Sequence, residues 1–142
     1  MRFWIISLLL IVAGAQASEP RDPTFERLAK VDVFAFGGTG FARVISQGEK
    51  DYEAIFSRQS AAADFERLYA TGNIQAKAYS LVGLRLLNPD KYRELSVLLR
   101  GSQTEVQTMH GCIMGHEFAR AVVEQIDAGR YPLPKQKPTN AM

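Results

Sequence analysis

The sequence predicts an all-α, mainly helical fold with a single domain of short antiparallel helical hairpins. Apolar side chains recur at helical spacing through most of residues 46–127, and helix-capping residues and glycines separate the helical segments. The turns between these segments are short, which favours antiparallel neighbours that could stack in a HEAT-like way. We expect a short extended, glycine-rich segment before the helices.

The N-terminus has the three-part pattern of a secretory signal peptide. Arg2 supplies a positive charge, residues 3–12 form an apolar run, and Ala15 and Ala17 place small side chains where a signal peptidase cleaves. The apolar run is shorter than the roughly 20 residues that a helix needs to span a bilayer. We therefore expect cleavage between Ala17 and Ser18, a secreted or periplasmic location and no stable membrane anchor.

Composition divides the chain into four parts. Residues 1–17 are the predicted signal peptide, and residues 18–30 form a leader with two prolines and dispersed charges, in which one helical turn could form. Residues 31–131 are the predicted helical domain. Residues 132–142 contain three prolines and two lysines and few apolar side chains, so we expect a disordered tail.

Capping residues indicate where several helices begin. Ser46 followed by Glu49 is a capping box, and Ser60 can cap the next helix. Asn88 followed by Pro89 places a cap residue directly before proline at the first helical position. These signals predict separate short helices that are joined by tight turns.

Residues 74–87 are predicted to form the central helix of the core. The strongly polar positions Lys77, Ser80 and Arg85 fall within one sector of this helix, and the rest of its circumference is apolar. A helix that is apolar around most of its circumference is usually buried by neighbours on several sides. We therefore expect this segment to be the hub on which the other helices pack.

The later segments are predicted to bury one apolar face each. In the helix that ends at Gly101, the expected inward side chains are Tyr92, Leu95, Leu98 and Leu99. A last helix is expected at residues 117–127, and its buried side chains are Phe118, Val122 and Ile126. Residues 102–115 lack a helical period and show only a brief alternation at Val106 and Thr108.

The charge pattern argues against nucleic-acid binding. The chain has 17 Lys and Arg against 15 Asp and Glu, and removal of Arg2 with the signal peptide leaves 16 against 15, a formal net charge of +1. Nucleic-acid-binding proteins usually cluster their basic residues on one face. Here both signs are interspersed along the sequence, so we expect no nucleic-acid partner.

Residues 31–43, VDVFAFGGTGFAR, resemble the glycine-rich turn of extended short-chain dehydrogenases. That resemblance implies an apolar strand followed by a helix N-terminus that receives a cofactor pyrophosphate. However, Ala42 stands near the last glycine position, and no second βαβ unit follows. We expect no dinucleotide and no other cofactor, and we interpret the stretch as an apolar edge segment that packs its phenylalanines, Phe34, Phe36 and Phe41, on the helices.

His110, Cys112 and His116, followed by Glu117, form the only cluster of candidate metal ligands. Thiolate and imidazole ligands suit zinc or copper, but the spacing matches no standard zinc knuckle. Cys112 is the only cysteine, so no intramolecular disulfide can form, and the thiol is buried, bridged to another chain or reactive. Because residues 113–114 beside it are apolar, we expect a structural, partly or wholly buried cysteine without bound metal.

Three stretches, FGGTGFA, AKAYSLVGLRLLNPDKYREL and VQTMHGCIMG, are similar to a poorly characterised family of small exported bacterial proteins. One member of that family is associated with microcin gene clusters. The resemblance covers residues 34–115 and implies that the glycine turn, the helical hairpins and the Gly-Cys segment belong to one domain. It implies no activity and no catalytic residues.

The sequence as a whole favours an exported, non-enzymatic helical protein. Its binding partner is expected to be a protein in the cell envelope or outside the cell, because the chain is rich in packing signals and poor in convergent polar residues. We predict no catalytic and no cofactor-binding residue. The alternative is a small metal- or thiol-dependent protein that uses His110, Cys112 and His116.

Overall fold

The computed structural model describes residues 20–131 of the chain. The predicted signal peptide at residues 1–17 and the predicted tail at residues 132–142 lie outside the described residues. Of the described residues 56% are helical, which confirms the mainly helical prediction. The elements in chain order are α1 Pro23–Ala29, β1 Gly38–Thr39, β2 Val44–Ile45, α2 Gln47–Phe56, α3 Ala61–Thr71, α4 Ile74–Leu87, α5 Pro89–Arg100, β3 Glu105–His110, β4 Ile113–Phe118 and α6 Ala119–Asp127.

Two antiparallel hairpins interrupt the helices, so the prediction of an all-α fold is wrong in this respect. β1 pairs with β2 over two residues, and β3 pairs with β4 over six, from Glu105 opposite Phe118 to His110 opposite Ile113. Phe34 adds a short parallel bridge to Thr108 on the other side of β3. The segment after α5, which lacks a helical period, is therefore a small sheet rather than an irregular connection.

α4 is the centre of the core, as predicted. Its side chains Tyr79, Leu81 and Leu84 are fully buried, with α3 packed against it on one side and α5 and α6 on others. Gly83 permits the close approach of α3, since a Cβ at this position would lie 2.5 Å from a ring carbon of Phe65. A larger side chain at residue 83 would therefore push the two helices apart.

The predicted caps are present at two of the three helix starts. The Ser46 hydroxyl accepts a hydrogen bond from the Glu49 backbone N–H at the start of α2, and the Asn88 side chain caps α5 in front of Pro89. Ser60 makes no capping hydrogen bond to the α3 backbone, because its hydroxyl instead donates to a side-chain oxygen of Asp64 at 2.8 Å.

α1 packs into the helical core, although it lies within residues 18–30, the predicted leader. Its Leu28 side chain is fully buried, and Asp22 caps its first turn. Arg27 pairs with the buried carboxylate of Asp51 on α2, with a nitrogen–oxygen distance of 2.7 Å. The packed domain of the described residues thus begins at this helix.

Two side chains that the sequence predicts on the buried faces of helices are exposed instead. Leu98 is 62% exposed, because α5 packs on α4 and α6 along one side and Leu98 lies on the other. Phe118 is 55% exposed, because the last helix begins at Ala119 and Phe118 is the final residue of β4. The other apolar residues expected on the face of this last helix, Val122 and Ile126, are buried as predicted.

The extended segment before β1 is fixed to the core by Tyr79. The phenol oxygen accepts a hydrogen bond from the Ala35 N–H at 3.1 Å and donates to the Ala35 C=O at 2.8 Å. Burial raises the pKa of Tyr79 to about 12, so the phenol stays protonated and can donate at any physiological pH. Gly48 leaves room for this phenol, since a Cβ at Gly48 would lie 2.7 Å from its oxygen.

Candidate functional site

The glycine motif leads into the β1–β2 hairpin rather than into a helix. Gly37 and Gly40 have φ angles of 79° and 70°, which allow the chain to reverse direction. The Gly37 N–H donates to the carboxylate of Glu49 at 2.8 Å, and Glu49 itself is only 5% exposed. Burial raises the pKa of Glu49 above its ordinary value. The side chain that faces this glycine turn is therefore a carboxylate from the first turn of α2, in the place where the resemblance implies a pyrophosphate.

The three phenylalanines of this segment do not share one environment. Phe34 is buried, and Phe36 is partly buried and packs edge-to-face against Tyr52 with the ring centroids 5.1 Å apart. Phe41 is 100% exposed, so the expectation that all three pack on the helices is wrong for this residue. The reason is the turn at Gly40, which directs Phe41 away from the core.

A two-residue turn, Gly111-Cys112, connects β3 to β4. Gly111 has a φ of 59°, whereas Cys112 does not have a positive φ, a combination that matches the glycine-first turns favoured in β-hairpins. This turn sets the register in which His110 lies opposite Ile113. It also places the cysteine at the outer end of the hairpin.

His110, Cys112 and His116 do not converge. Side chains alternate between the two faces of a strand, so the register places His110 on the same face as Thr108 and Glu117 and places His116 on the opposite face. Cys112 lies in the turn between them. Among residues 20–131, no group of three or more His, Cys, Asp and Glu side chains could hold a metal ion together.

The Cys112 side chain is exposed, so the expectation of a buried structural cysteine is wrong. The apolar neighbours that would bury it, Ile113 and Met114, are themselves 74% and 55% exposed. The sequence could not distinguish a buried cysteine from an exposed one, because apolar neighbours bury a thiol only when that part of the chain runs through the core.

A polar network on the inner face of the hairpin centres on Glu117. Its Oε1 lies 2.8 Å from His110 Nε2 and accepts a hydrogen bond from the Thr108 hydroxyl at 2.9 Å. Its Oε2 accepts a hydrogen bond from the Gln125 side-chain amide on α6. The Tyr131 hydroxyl in turn donates to Gln125 Oε1 at 2.8 Å. The network therefore joins β3, β4, α6 and the end of the described chain.

The hydrogen bonds stabilise Glu117 as a carboxylate. Burial by itself would raise its pKa, but the bonds from His110, Thr108 and Gln125 outweigh that effect and lower the pKa below the ordinary value of 4.5. A carboxylate that is already held by three partners is a weak proton acceptor at neutral pH. We therefore assign Glu117 a structural role rather than a catalytic one.

A cavity of about 250 Å³ lies beside this network. Aromatic residues Phe34, Phe36 and Tyr131 line it together with the polar residues His110 and Gln125. Its volume is below the roughly 300–1,000 Å³ that is usual for sites that enclose small molecules. His110, Gln125 and Tyr131 already take part in the Glu117 network, so we assign no ligand to this cavity.

A larger depression of about 540 Å³ lies between α1 and the start of α2. The carboxylate of Asp51 lies in it, but Arg27 pairs with both of its oxygens at 2.7 and 3.1 Å. The Gln47 side chain also donates to it at 3.1 Å. Because these bonds occupy the carboxylate, we interpret the cluster as the joint between α1 and α2.

Both hairpins carry exposed apolar side chains close to the point where their turns meet. The Gly40 N–H of the first hairpin donates to the Gly111 C=O of the second at 2.9 Å, so the two turns are joined. We call the exposed apolar residues in and next to these two turns the tip surface, and they are Phe41, Val44, Ile45, Ile113 and Met114. Their exposed fractions are 100%, 55%, 39%, 74% and 55%.

Sequence reasoning missed both the Glu117 network and the tip surface. Glu117 was considered only as a neighbour of the candidate metal ligands, because its partners Thr108 and Gln125 are distant in sequence. A signal for the hairpin does exist, since a glycine and one further residue separate two segments of strand length. Gly-Cys is not one of the usual turn pairs, which made that signal weak.

Comparisons with protein-family models, with curated proteins and with solved structures give no match for this chain. Among the described residues, no helix has the length and apolar character that crossing a membrane requires. The functional argument therefore depends on the geometry of the chain itself.

Replacement of Glu117 by Gln should lower stability at pH 7 by about 1–2 kcal/mol, because hydrogen bonds to a charged group are stronger than those to a neutral amide. A lowered folded-state pKa stabilises the protein above pH 4.5, and this contribution is lost as the pH falls through the folded-state value. Urea unfolding of the native protein should therefore show a loss of stability below pH 4.5 that is smaller in Glu117→Gln.

Glu105→Gln is the matched control, since Glu105 is an exposed glutamate at the start of β3. This control should unfold like the native protein at each pH. An equal acid dependence in Glu117→Gln and the native protein would contradict the role that we assign to this carboxylate.

Proposed function

We propose that the protein is exported and binds a protein partner, in the cell envelope or outside the cell, without catalysing a reaction. The observation that carries the proposal is the tip surface. Phe41 is completely exposed in the first hairpin, and Ile113 is 74% exposed in the second. Contiguous exposed apolar side chains on a protein commonly mark sites where another protein binds, because association removes them from water.

The charges near the tip surface indicate the chemistry of its partner. Residues 38–45 and 110–114 contain a single arginine, Arg43, and no carboxylate. Arg43 is exposed in the β1–β2 turn beside Phe41. The surface therefore fits a partner whose apolar patch has an acidic rim, since such a rim would complement the arginine.

The geometry favours this proposal over a metal- or thiol-dependent function. His110 and His116 lie on opposite faces of the hairpin. Both imidazoles could bind one metal ion only if β3 and β4 lost their present register. Cys112 is an exposed thiol, and the imidazole nearest to it along the chain, that of His110, bonds Glu117 rather than the thiol. We therefore retain the binding function as the single proposal.

The helical layer supports the finer, HEAT-like description, which also remains a proposal. Helices α3, α4 and α5 are consecutive and packed side by side, and they are joined by connections of two residues and one residue. Connections this short favour antiparallel neighbours. The similarity of residues 34–115 to small exported bacterial proteins, one of them associated with microcin gene clusters, supports the proposal of export.

Export should yield a mature chain that begins at Ser18, because Ala15 and Ala17 present the small side chains that a signal peptidase accepts. N-terminal sequencing of protein from the periplasm or medium would measure this. Ala17→Phe should leave the longer precursor, whereas Ser18→Ala should be processed normally. Recovery of an intact Met1 in mature exported protein would contradict the proposal.

Partner binding should depend on Phe41. A photoreactive phenylalanine analogue at this position should form a specific cross-link to one protein in the native compartment, and the same analogue at Ala63 on α3 should not. After mass-spectrometric identification, the purified partner should bind Phe41→Ala at least ~10-fold more weakly than the native chain, because exposed aromatic residues at the centre of an interface carry much of its affinity.

Leu98→Ala is the control for this measurement, since it also removes an exposed apolar side chain, but from α5. Its affinity for the partner should remain within about twofold of the native value, as expected for a residue outside the interface. Equal weakening by both substitutions, or cross-linking at Ala63 as strong as at Phe41, would overturn the assignment of the tip surface.

A further inference from the structure

The backbone hydrogen bonds of β3 determine which way β4 presents its own polar groups. The Phe34 N–H donates to the Gln107 C=O at 2.8 Å, and the Met109 N–H donates to the Phe34 C=O at 3.2 Å. The backbone groups of Gln107 and Met109 therefore face the Phe34 segment. Because successive residues of a strand point their backbone groups in opposite directions, Thr108 faces β4 and bonds Gly115.

The same alternation leaves the outer edge of β4 open. Gly115 and Glu117 face β3, so the backbone N–H and C=O groups of Met114, His116 and Phe118 point away from it. Within residues 20–131, no backbone hydrogen bond joins these three residues to an element on that side. β4 is thus an edge strand whose outward polar groups are available to a further strand, except the Phe118 C=O, which accepts the first hydrogen bond of α6 because Phe118 is the N-cap of that helix.

Several features that usually protect an edge strand are missing from β4, although it has one of them, the charged Glu117 on its inner face. Its sequence, IMGHEF, contains no proline and no lysine, and its pairing with β3 is continuous over six residues without a bulge. Met114 and Phe118 lie on the same sheet face as His116, and each of them is 55% exposed. An open edge beside exposed apolar side chains is suited to the addition of another strand.

We propose that the strand added to this edge is β4 of a second copy of the chain, antiparallel and related by a two-fold axis at His116. In this register Met114 lies opposite Phe118 of the second copy, and Phe118 lies opposite its Met114. Gly115 lies opposite Glu117 of the second copy. The two His116 residues then exchange N–H and C=O hydrogen bonds across the axis, and each Met114 C=O accepts from the Phe118 N–H of the other copy.

The sequence of β4 favours this register over its neighbours. With the axis at Gly115, Met114 would face His116 of the second copy, and Ile113 would face Glu117. With the axis at Glu117, His116 would face Phe118 of the second copy. Of these three axes, only the one at His116 pairs apolar with apolar side chains on the exposed face, and such cross-strand pairs are the unit of sheet stabilisation. This self-complementarity is the reason to name a second copy as the occupant.

The dimer joins the β3–β4 sheets of the two copies into one sheet. Met114 takes part both in this contact and in the tip surface, whereas Phe41 belongs to the tip surface alone. Cys112 lies four residues from the axis, so the two cysteines of a dimer are on the order of 25 Å apart at ~3.3 Å per strand residue. A disulfide between the Cys112 residues is therefore incompatible with this arrangement. The inference stands independently of the proposed partner, because it rests on the edge of β4 rather than on Phe41.

Disulfide trapping tests the axis directly. In a Cys112→Ser background, His116→Cys places two thiols directly opposite each other, at a Cβ separation of about 5 Å. Mild oxidation should convert this variant to a covalent dimer on a non-reducing gel. Gln107→Cys in the same background is the matched control, since Gln107 lies beside His116 on the same sheet face but one strand farther from the axis.

The control thiols would be separated by roughly 14 Å, because neighbouring strands lie about 4.8 Å apart. Disulfides require Cα atoms within about 7 Å, so His116→Cys should cross-link at least ~10-fold faster than Gln107→Cys. Sedimentation of the native full chain under reducing conditions should show a dimer. Met114→Lys should shift it to a monomer with an unchanged circular dichroism spectrum.

Three results would overturn the inference. The first is equal cross-linking of the two thiol variants. The second is a native chain that stays monomeric in the micromolar range, in which case any strand on this edge belongs to a different protein. The third is a dimer that disappears on reduction of Cys112, because that dimer would be joined by the turn cysteines and not by β4.

Discussion

The fold depends on the contact that the Tyr79 phenol makes with the backbone of Ala35. Tyr79 belongs to the central helix α4, and Ala35 belongs to an extended segment that has no helix or long strand of its own to hold it. One buried hydroxyl satisfies both the N–H and the C=O of this residue. Buried backbone groups without partners are costly, so the phenol makes an otherwise unfavourable path through the core possible.

The position of the sheet follows from this contact. With Ala35 fixed to α4, the neighbouring Phe34 is buried against Tyr79, at a centroid distance of 4.9 Å, and bonds the backbone of β3 on its other side. The Glu117 network then attaches β4 to α6. The hairpins are thereby held at one side of the helical layer, with their turns exposed. A rigid core that presents exposed turns is a common arrangement for binding surfaces.

The helical part of the fold could be predicted from the sequence because its signals are local. Asn88 and Pro89 mark the start of α5, and the apolar circumference of residues 74–87 marks α4. Each signal depends only on residues that are close together in the sequence. The hairpin was missed for a physical reason. The inner face of β4 carries Gly115 and Glu117 instead of apolar side chains, so its sequence does not alternate. In addition, Phe118, Val122 and Ile126 have helical spacing. The sequence therefore predicts that the last helix begins at residue 117, within β4, whereas α6 begins at Ala119.

The exposure of individual side chains could be predicted less well than the helices, because it depends on which elements pack against each residue in the folded chain. Phe41 and Leu98 are residue types that usually lie in the core, but no element of the described chain covers them. Cys112 was assigned to the interior on the basis of neighbours that proved to be exposed themselves. The three candidate ligands His110, Cys112 and His116 are close in sequence, yet the period of a strand separates the two imidazoles onto opposite faces.

The central role of Tyr79 is tested most directly by removing its hydroxyl and comparing the result with Tyr52→Phe. The Tyr52 phenol is also fully buried, but its hydroxyl has no hydrogen-bond partner among the described residues. We predict that Tyr79→Phe lowers the free energy of unfolding by about 1–3 kcal/mol, because it leaves the buried Ala35 N–H unpaired, whereas Tyr52→Phe is neutral or stabilising. Equal free energies of unfolding for the two variants in urea titrations at pH 7 would contradict this role.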